Sequence, residues 1–216
     1  MAMAELQTEH RLRPMLAPES VALVGASTVP NVAGNDMVLE LEVSRYPGRV
    51  YPVNPKYDEV EGRECFDSLE TLPEVPDLAV LSVGNTRLEE LVEQAIDLGV
   101  GGLVIPGSAL LPDDTASNSL RSRIRNMATA ANLPIVGGNC MGFYNVEKWF
   151  RAFPFNRPYE LKEGGVTLIA QSGSVLTALL WNDQKLRFNL AVSPGQELVT
   201  TTADYMDYAL EQESTR

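Results

Sequence analysis

Short apolar runs alternate along this chain with longer segments in which apolar residues recur every three or four positions. A short apolar run between turn residues predicts a strand, and the longer spacing predicts a helix with one buried face. The pattern predicts strands at residues 21–24, 50–53, 78–83, 102–105 and 134–136, and helices at about 34–44, 86–98 and 115–131.

The predicted strands are apolar on both faces, as the sequence LAVLSV at residues 78–83 illustrates. Such strands suit a parallel sheet that is covered by helices on both sides. Because strands and helices alternate, right-handed crossovers are expected. We therefore predict an α/β fold in which residues 18–150 form a Rossmann-like doubly wound parallel sheet, preceded by an N-terminal tail at 1–17.

A stretch rich in proline, phenylalanine and arginine at residues 151–163 is interpreted as a linker. After it, the pattern predicts strands at 165–170 and 188–192 and helices at 175–183 and 202–210. Two such units are too few to cover both faces of an independent sheet. Residues 164–216 are therefore expected to start a second, flavodoxin-like α/β domain, and the natural protein is expected to continue beyond Arg216.

Charge and composition argue against several classes of protein function. The 216 residues carry a formal charge of −12, from 17 basic and 29 acidic side chains, which argues against a nucleic-acid partner. No apolar run approaches the roughly 18 residues of a membrane span, and the first residues lack the apolar core of a signal peptide. A cytoplasmic protein without a membrane partner is expected.

The single histidine, His10, is interpreted as a solvated residue ahead of the first strand. No catalytic set that needs a histidine, and no metal site, can be assembled from the sequence around it. Cys65 and Cys140 are far apart in sequence, which indicates neither a metal site nor a disulfide framework. Cys140 is interpreted as a buried structural thiol.

The loop after the first predicted strand is a candidate phosphate-binding turn. In VALVGASTVPNVAG the strand ends at Gly25, the loop continues through Ala26, Ser27 and Pro30, and a helix is expected to begin at Gly34. Gly25 permits a sharp turn and the close approach of a ligand. The first N–H groups of a helix favour an anion. A tight turn that only packs helix against sheet is the alternative.

The loop after the second predicted strand carries Asn54, Pro55 and Lys56. In doubly wound sheets the carboxyl ends of the strands line the binding crevice. Asn54 is therefore a candidate for ribose hydroxyls and Lys56 for a phosphate. An ordinary Asn-Pro turn with a solvated lysine is the alternative.

Two later loops have similar features. The sequence GGNCMG at residues 137–142 follows the fifth strand, and its paired glycines permit close backbone approach beside Asn139. Gln171, Ser172 and Gly173 lie between a predicted strand and a helix, which makes them a second candidate anion site. A serine N-cap without a ligand is the alternative there.

In this order, the loops resemble those of the NDP-forming acyl-CoA synthetases, which are relatives of succinyl-CoA synthetase. VALVGASTVPNVAG resembles the family's first strand and GAS turn, and GRVYPVNPKYDEVEGRECFDSLETLP resembles its second strand and Asn-Pro-Lys turn. VGGNCMGFYN is similar to its Gly-Pro-Asn-Cys-x-Gly element, and LIAQSGSV to the opening of its second domain. The resemblance covers about residues 18–216.

The resemblance implies the CoA-binding portion of an acid–CoA ligase, an enzyme that converts a carboxylic acid, CoA and ATP into acyl-CoA, ADP and phosphate. It implies that the first two loops hold the CoA nucleotide, that residues 139 and 142 border the thiol end, and that residues 172 and 173 offer donors to a phosphoryl group. The candidate CoA-binding residues are Gly25, Ala26, Ser27, Pro30, Gly34, Asn54, Pro55, Lys56, Asn139 and Gly142, and the candidate phosphate-binding residues are Gln171, Ser172 and Gly173.

In that family the phosphoryl group passes through a phosphohistidine, and no histidine follows His10. We therefore expect no catalytic residue in this chain, a phosphohistidine beyond Arg216, and an ATP and magnesium site outside this region. An ATP-grasp domain or subunit, or a second copy of the chain, is the expected protein partner.

Two alternatives stay open. A non-catalytic CoA- or nucleotide-binding sensor module would account for the missing histidine. An NAD-linked oxidoreductase fits the first loop, but the GxGxxG pattern is absent, and Asn54 stands where an acidic residue would be expected.

Overall fold

A computed structural model describes residues 9–152, 162–181 and 186–216. The strands in these residues are β1 (Ser20–Val24), β2 (Arg49–Val53), β3 (Glu59–Val60), β4 (Arg63–Glu64), β5 (Leu78–Leu81), β6 (Leu103–Ile105), β7 (Ile135–Gly137), β8 (Gly142–Asn145), β9 (Phe150–Arg151), β10 (Val166–Ile169) and β11 (Phe188–Ser193). The helices are α1 (Arg13–Leu16), α2 (Ala33–Ser44), α3 (Leu88–Leu98), α4 (Leu120–Ala130), α5 (Gly173–Leu180) and α6 (Thr202–Glu211).

Most of these elements lie within about two residues of their predicted positions. Helix α4 begins at Leu120, later than expected, because Ser119 caps it by accepting a hydrogen bond from the N–H of Ser122. The last two residues of the helix predicted at 175–183 lie outside the described part of the chain. Among the described residues, no helix has both the length and the apolar character that crossing a bilayer requires.

The first sheet confirms the predicted doubly wound parallel architecture. Its strands lie in the order β2-β1-β5-β6-β7, and each neighbouring pair is parallel. The order reverses between β1 and β5, because the chain moves outward from β1 to β2 on one side and from β5 to β7 on the other. Loops at the carboxyl ends of β1 and β5 flank the crevice that such a switch point creates.

Alternate residues of β1 pack into two different cores. Val21 and Leu23 face a core that also contains α1, α2 and part of the second sheet. Ala22 and Val24 face a core that contains α3 and α4. Successive side chains of a strand point to opposite faces, so the continuous apolar run reflects burial on both sides.

The second sheet takes strands from both sides of the predicted linker. Its order is β10-β11-β8-β9, in which β10 is parallel to β11 while β8 is antiparallel to both β11 and β9. Residues 142–151 therefore belong to the second sheet, although they precede the linker. Most of the predicted linker, residues 153–161, lies outside the described residues, and the division at 151–163 stays a prediction.

Two buried contacts tie these strands to the first unit. Arg151 of β9 forms an ion pair with Glu40 of α2, with Nη1 and Oε2 3.4 Å apart and the side chains 6% and 1% exposed. Asn145 of β8 donates from Nδ2 to the carbonyl oxygen of Leu16 at 2.9 Å. Leu16 and Met15 are fully buried, so α1 is part of the first core rather than of a solvated tail.

Gly34 offers a test of the packing at the start of α2. A Cβ on Gly34 would overlap the carbonyl oxygen of Gly25. Gly34→Ala is therefore expected to lower the free energy of unfolding by about 1–3 kcal/mol, measured by urea denaturation followed by circular dichroism. Gly84→Ala is the control, because Gly84 has a φ of −63° and open space around its Cα. It should change the free energy by less than about 0.5 kcal/mol, and equal effects of the two substitutions would contradict the steric explanation.

Candidate functional site

The loop after β1 is held by backbone contacts that require glycine. Gly25 has a φ of +93°, and its N–H donates to the carbonyl oxygen of Val53 at 2.9 Å. A Cβ on Gly25 would overlap the carbonyl oxygen of Ser82, just after β5. The loops after β1, β2 and β5 therefore meet at Gly25, on the carboxyl edge of the first sheet.

Asn54 braces the second loop against the first. Its Nδ2 donates to the carbonyl oxygen of Ala26 at 2.7 Å, and its Oδ1 accepts from the N–H of Lys56 at 3.1 Å. Both polar atoms of the amide are thus used to position the loops, which gives Asn54 a structural role, and its contact with ribose hydroxyls stays a prediction. The side chain of Lys56 is exposed at the same edge.

The start of α2 lacks a side-chain cap. Its N-cap residue is Val32, whose side chain offers no acceptor to the first helical N–H groups. Ser27 accepts a hydrogen bond from the N–H of Val29 at 3.0 Å within the loop, and Pro30 is exposed at the turn. An uncapped helix N-terminus beside a glycine turn can accept an anion.

A cleft of about 220 Å³ opens between the first two loops and α3. Gly25, Asn54 and Pro55 line one side of it, and Arg87 lines the other, at the end of a 3₁₀ turn that precedes α3. Arg87 was not among the predicted residues, and its position shortly after the carboxyl end of β5 was the signal that could have identified it. The cleft offers a cation to a phosphate, and its lining also includes two carboxylates that suit ribose hydroxyls, Asp67 and Glu90.

A second cavity, of about 660 Å³, brings the two later loops together. Asn139 and Met141 lie on one side, and Gln171, Ser172 and Gly173 lie on the other. The structure thus joins two segments that the sequence analysis treated as separate candidates.

Ser172 and Gly142 have clear structural roles near this cavity. Ser172 is the N-cap of α5, and its Oγ accepts from the N–H of Val175 at 3.4 Å. Gly142 begins β8 with a φ of +72°, and a Cβ there would overlap the carbonyl oxygen of Ala152. Gly142 is not among the residues that line the cavity, and its place beside a ligand thiol stays a prediction.

A third loop, residues 194–198 between β11 and α6, was not predicted to be functional. The N–H of Gln196 donates to the carbonyl oxygen of Gly138 at 2.9 Å. Oε1 of Glu197 accepts from Nε2 of Gln171 at 2.9 Å. This loop therefore holds the two walls of the second cavity in place, and no local sequence pattern indicated it.

His10 is not solvated, so that prediction is wrong. Its side chain is 10% exposed, and Nε2 lies 3.4 Å from Oδ2 of Asp207, with Glu211 close enough to complete a potential cation site. However, Nδ1 accepts a hydrogen bond from the N–H of Leu12 at 3.1 Å. A neutral imidazole then carries its proton on Nε2, the atom that lies 3.4 Å from Asp207. A cation at Nε2 would have to displace this proton.

Cys140 is a buried thiol, in agreement with its interpretation from the sequence. Its side chain is 7% exposed, and Sγ lies 3.4 Å from the carbonyl oxygen of Ile105. Burial raises the pKa of Cys140 to about 12. The thiol is therefore protonated at neutral pH and is not a nucleophile in this state.

Comparison with known families decides the class of ligand. Residues 19–145 match the CoA binding domain, and residues 163–216 match the succinyl-CoA ligase like flavodoxin domain. The chain belongs to the CoA-binding domain family. The two matches cover the same loops that carried the resemblance to acyl-CoA synthetases, and they confirm it.

Individual relatives agree with this assignment. The chain is 32% identical over 210 residues to an ADP-forming acetate–CoA ligase of Methanocaldococcus jannaschii, across 96% of this chain and 29% of that protein. It is 28% identical to the α subunit of ADP-forming acetate–CoA ligase I of Pyrococcus furiosus, across 95% of this chain and 45% of the subunit. The acetyl-coenzyme A synthetase 1 of Ca. Korarchaeum cryptofilum has a TM-score of 0.86 at 25% identity, across 94% of this chain and 44% of that one. The chain therefore spans less than half the length of these relatives.

The raised pKa of Cys140 leads to a test of its reactivity. Below pH 9 its thiolate fraction should be roughly a thousandfold smaller than that of a thiol with a pKa of 9. We expect iodoacetamide at pH 8 to alkylate Cys140 in the folded protein at least about 100-fold more slowly than in guanidinium, as measured by mass spectrometry of the Cys140 peptide. Alkylation of the folded protein at the unfolded rate would contradict the assigned burial.

Proposed function

We propose that this chain is the CoA-binding part of an acid–CoA ligase, which forms acyl-CoA from a carboxylic acid, CoA and ATP and releases ADP and phosphate. The observation that carries the proposal is the convergence of the loops around Gly25 and Asn54 at the switch point of a CoA-binding domain. The relatives named as ADP-forming ligases support the reaction class.

The first cleft suits the nucleotide end of CoA. Arg87 lines this cleft and offers positive charge to a phosphate. Lys56 and the uncapped N-terminus of α2 are not part of its lining but adjoin the same two loops, where they offer a cation and N–H groups to the diphosphate. The glycines at positions 25 and 34 keep the backbone close to the ligand, while the Asn54 amide keeps the two loops together.

The second cavity suits the other end of the CoA molecule. Asn139 lies on the wall that the first unit contributes, and Ser172 and Gly173 lie at the N-terminus of α5 on the opposite wall. Backbone N–H groups at this helix end can stabilise the charge of a phosphoryl group. This cavity is the proposed place where the CoA thiol and a phosphoryl group come together.

The remaining steps are assigned to parts of the ligase that this chain does not contain. His10 is held by Asp207 and Leu12, so we propose that a histidine elsewhere carries the phosphoryl group, and that ATP and magnesium bind to an ATP-grasp domain or subunit. A subunit partner, or a second copy of this chain, is consistent with the α-subunit relative. A cytoplasmic location stays a prediction.

A sensor module that binds CoA without catalysis is the second candidate. The observation in its favour is that the only histidine of the sequence is engaged in the structure. The full-length gene product decides between the two candidates: ADP release that depends on CoA and on an acid, tested across a panel of acids, supports the ligase, and CoA binding without turnover supports the sensor.

Binding of CoA to this chain tests the proposed site. Lys56→Ala should weaken CoA binding by about 1–2 kcal/mol, or roughly 5- to 30-fold in Kd, through the loss of a charge-assisted hydrogen bond. Isothermal titration calorimetry measures the effect. Lys148→Ala is the control, because it removes the same charge from an exposed turn between β8 and β9. Unchanged affinity in Lys56→Ala would remove Lys56 from the site, and no binding of millimolar CoA by the unaltered chain would refute the site itself.

A further inference from the structure

The side chain of Gln171 lines the second cavity and donates a hydrogen bond to a carboxylate that does not line it. Nε2 of Gln171 donates to Oε1 of Glu197 at 2.9 Å. The hydroxyl of Thr202 donates to the same oxygen at 2.5 Å. Glu197 itself is not among the residues that line the cavity, so its effect on a ligand would act through Gln171.

The carboxylate of Glu197 is fixed by its own loop. Glu197 has a left-handed φ of +50°. On either side of it, the N–H of Gln196 donates to the carbonyl oxygen of Gly138 at 2.9 Å, and the N–H of Leu198 donates to that of Gly137 at 2.8 Å. Burial raises the pKa of Glu197, but the hydrogen bonds from Thr202 and Gln171 outweigh burial and leave the pKa below its usual value. Glu197 is therefore ionised at neutral pH.

An ionised carboxylate can only accept hydrogen bonds. It therefore dictates which end of the Gln171 amide faces it: the NH₂ group turns toward Glu197, and the carbonyl oxygen Oε1 is the end left for the cavity. A carbonyl oxygen accepts hydrogen bonds and repels an oxyanion. Oε1 of Gln171 is consequently unsuited to a phosphate, and the phosphate contact predicted for Gln171 stays a prediction.

We propose that Gln171 recognises an amide N–H of the pantetheine arm of CoA, and that Glu197 is the positioning residue that gives Gln171 this polarity. The inference rests on the proposed function, since it takes CoA as the ligand. An amide N–H is a strong donor, whereas the thiol at the end of the arm is a weak one, so an amide of the arm is the better partner for Oε1.

The loop at residues 171–173 then has two tasks. Ser172 and Gly173 lie at the N-terminus of α5 and remain the candidates for a phosphoryl group. Gln171, one residue earlier, selects the neutral arm. Neighbouring residues thus bind groups of opposite hydrogen-bonding character, which helps to keep the two ligands in separate parts of the cavity.

The first test compares CoA with adenosine 3′,5′-bisphosphate, which shares the nucleotide but lacks the arm. By calorimetry, Gln171→Ala should raise the Kd of CoA about 3- to 10-fold, the loss expected for one neutral hydrogen bond. It should leave the Kd of the bisphosphate unchanged. Equal loss for both ligands, or no loss for CoA, would overturn the proposal. Failure of the unaltered chain to bind CoA would instead refute the proposed function.

The second test changes the polarity of the amide itself. Glu197→Gln allows the Gln171 amide to turn, because a glutamine at 197 can donate as well as accept. The Kd of CoA should then rise in Glu197→Gln. The control is Glu211→Gln, which removes the same charge from α6 without contacting Gln171. The Kd of inorganic phosphate should be lower for Glu197→Gln than for this control. Phosphate binding that is equal in these two variants would overturn the role of Glu197.

A third readout does not depend on any ligand. In the unaltered chain, the side-chain NH₂ resonances of Gln171 in ¹⁵N NMR spectra should shift with pH as Glu197 becomes protonated, and this titration should disappear in Glu197→Gln. Resonances that do not respond to pH in the folded protein would contradict the hydrogen bond on which the polarity depends. Circular dichroism of each variant verifies that the fold is retained.

Discussion

Three loops meet at Gly25, and their contact sets the shape of the carboxyl edge of the first sheet. Because Gly25 has no side chain, the turn after β1 can touch both the carbonyl oxygen of Ser82 and the start of α2 at Gly34. A larger residue would separate these backbones and move the uncapped end of α2 away from the edge where Lys56 and Arg87 lie. The first cleft is therefore shaped mainly by backbone packing, and its charged side chains lie around a turn that glycine makes possible.

Loops that reach from one sheet to the other connect the walls of the two cavities. Asn139 donates from its N–H to the carbonyl oxygen of Gly107 at 2.7 Å, which anchors the second cavity to the first sheet. The loop at 194–198 then joins this wall to Gln171 in the second sheet. In the proposed function, the nucleotide and the thiol end of CoA bind in these two environments.

The elements whose determinants are local are the ones that the sequence predicts best. The strands around Val21 and the helix stripe at Leu88 follow from periodicity, and Gly25 and the Asn54 turn follow from their places at strand ends. The missed features are tertiary. Glu197 contacts Gln171 across 26 residues, and His10 is largely shielded because it packs against Tyr208 and Asp207 of α6. Strand β8 was missed because the partners that make it a strand lie in β11, far along the chain.

The ion pair between Arg151 and Glu40 makes β9 and α2 depend on each other. Both side chains are nearly inaccessible to water, and an uncompensated charge in such a place costs several kcal/mol. Replacing either residue by an apolar one would leave the other charge buried without this partner. A change at one of these two positions is therefore tolerated only together with a matching change at the other.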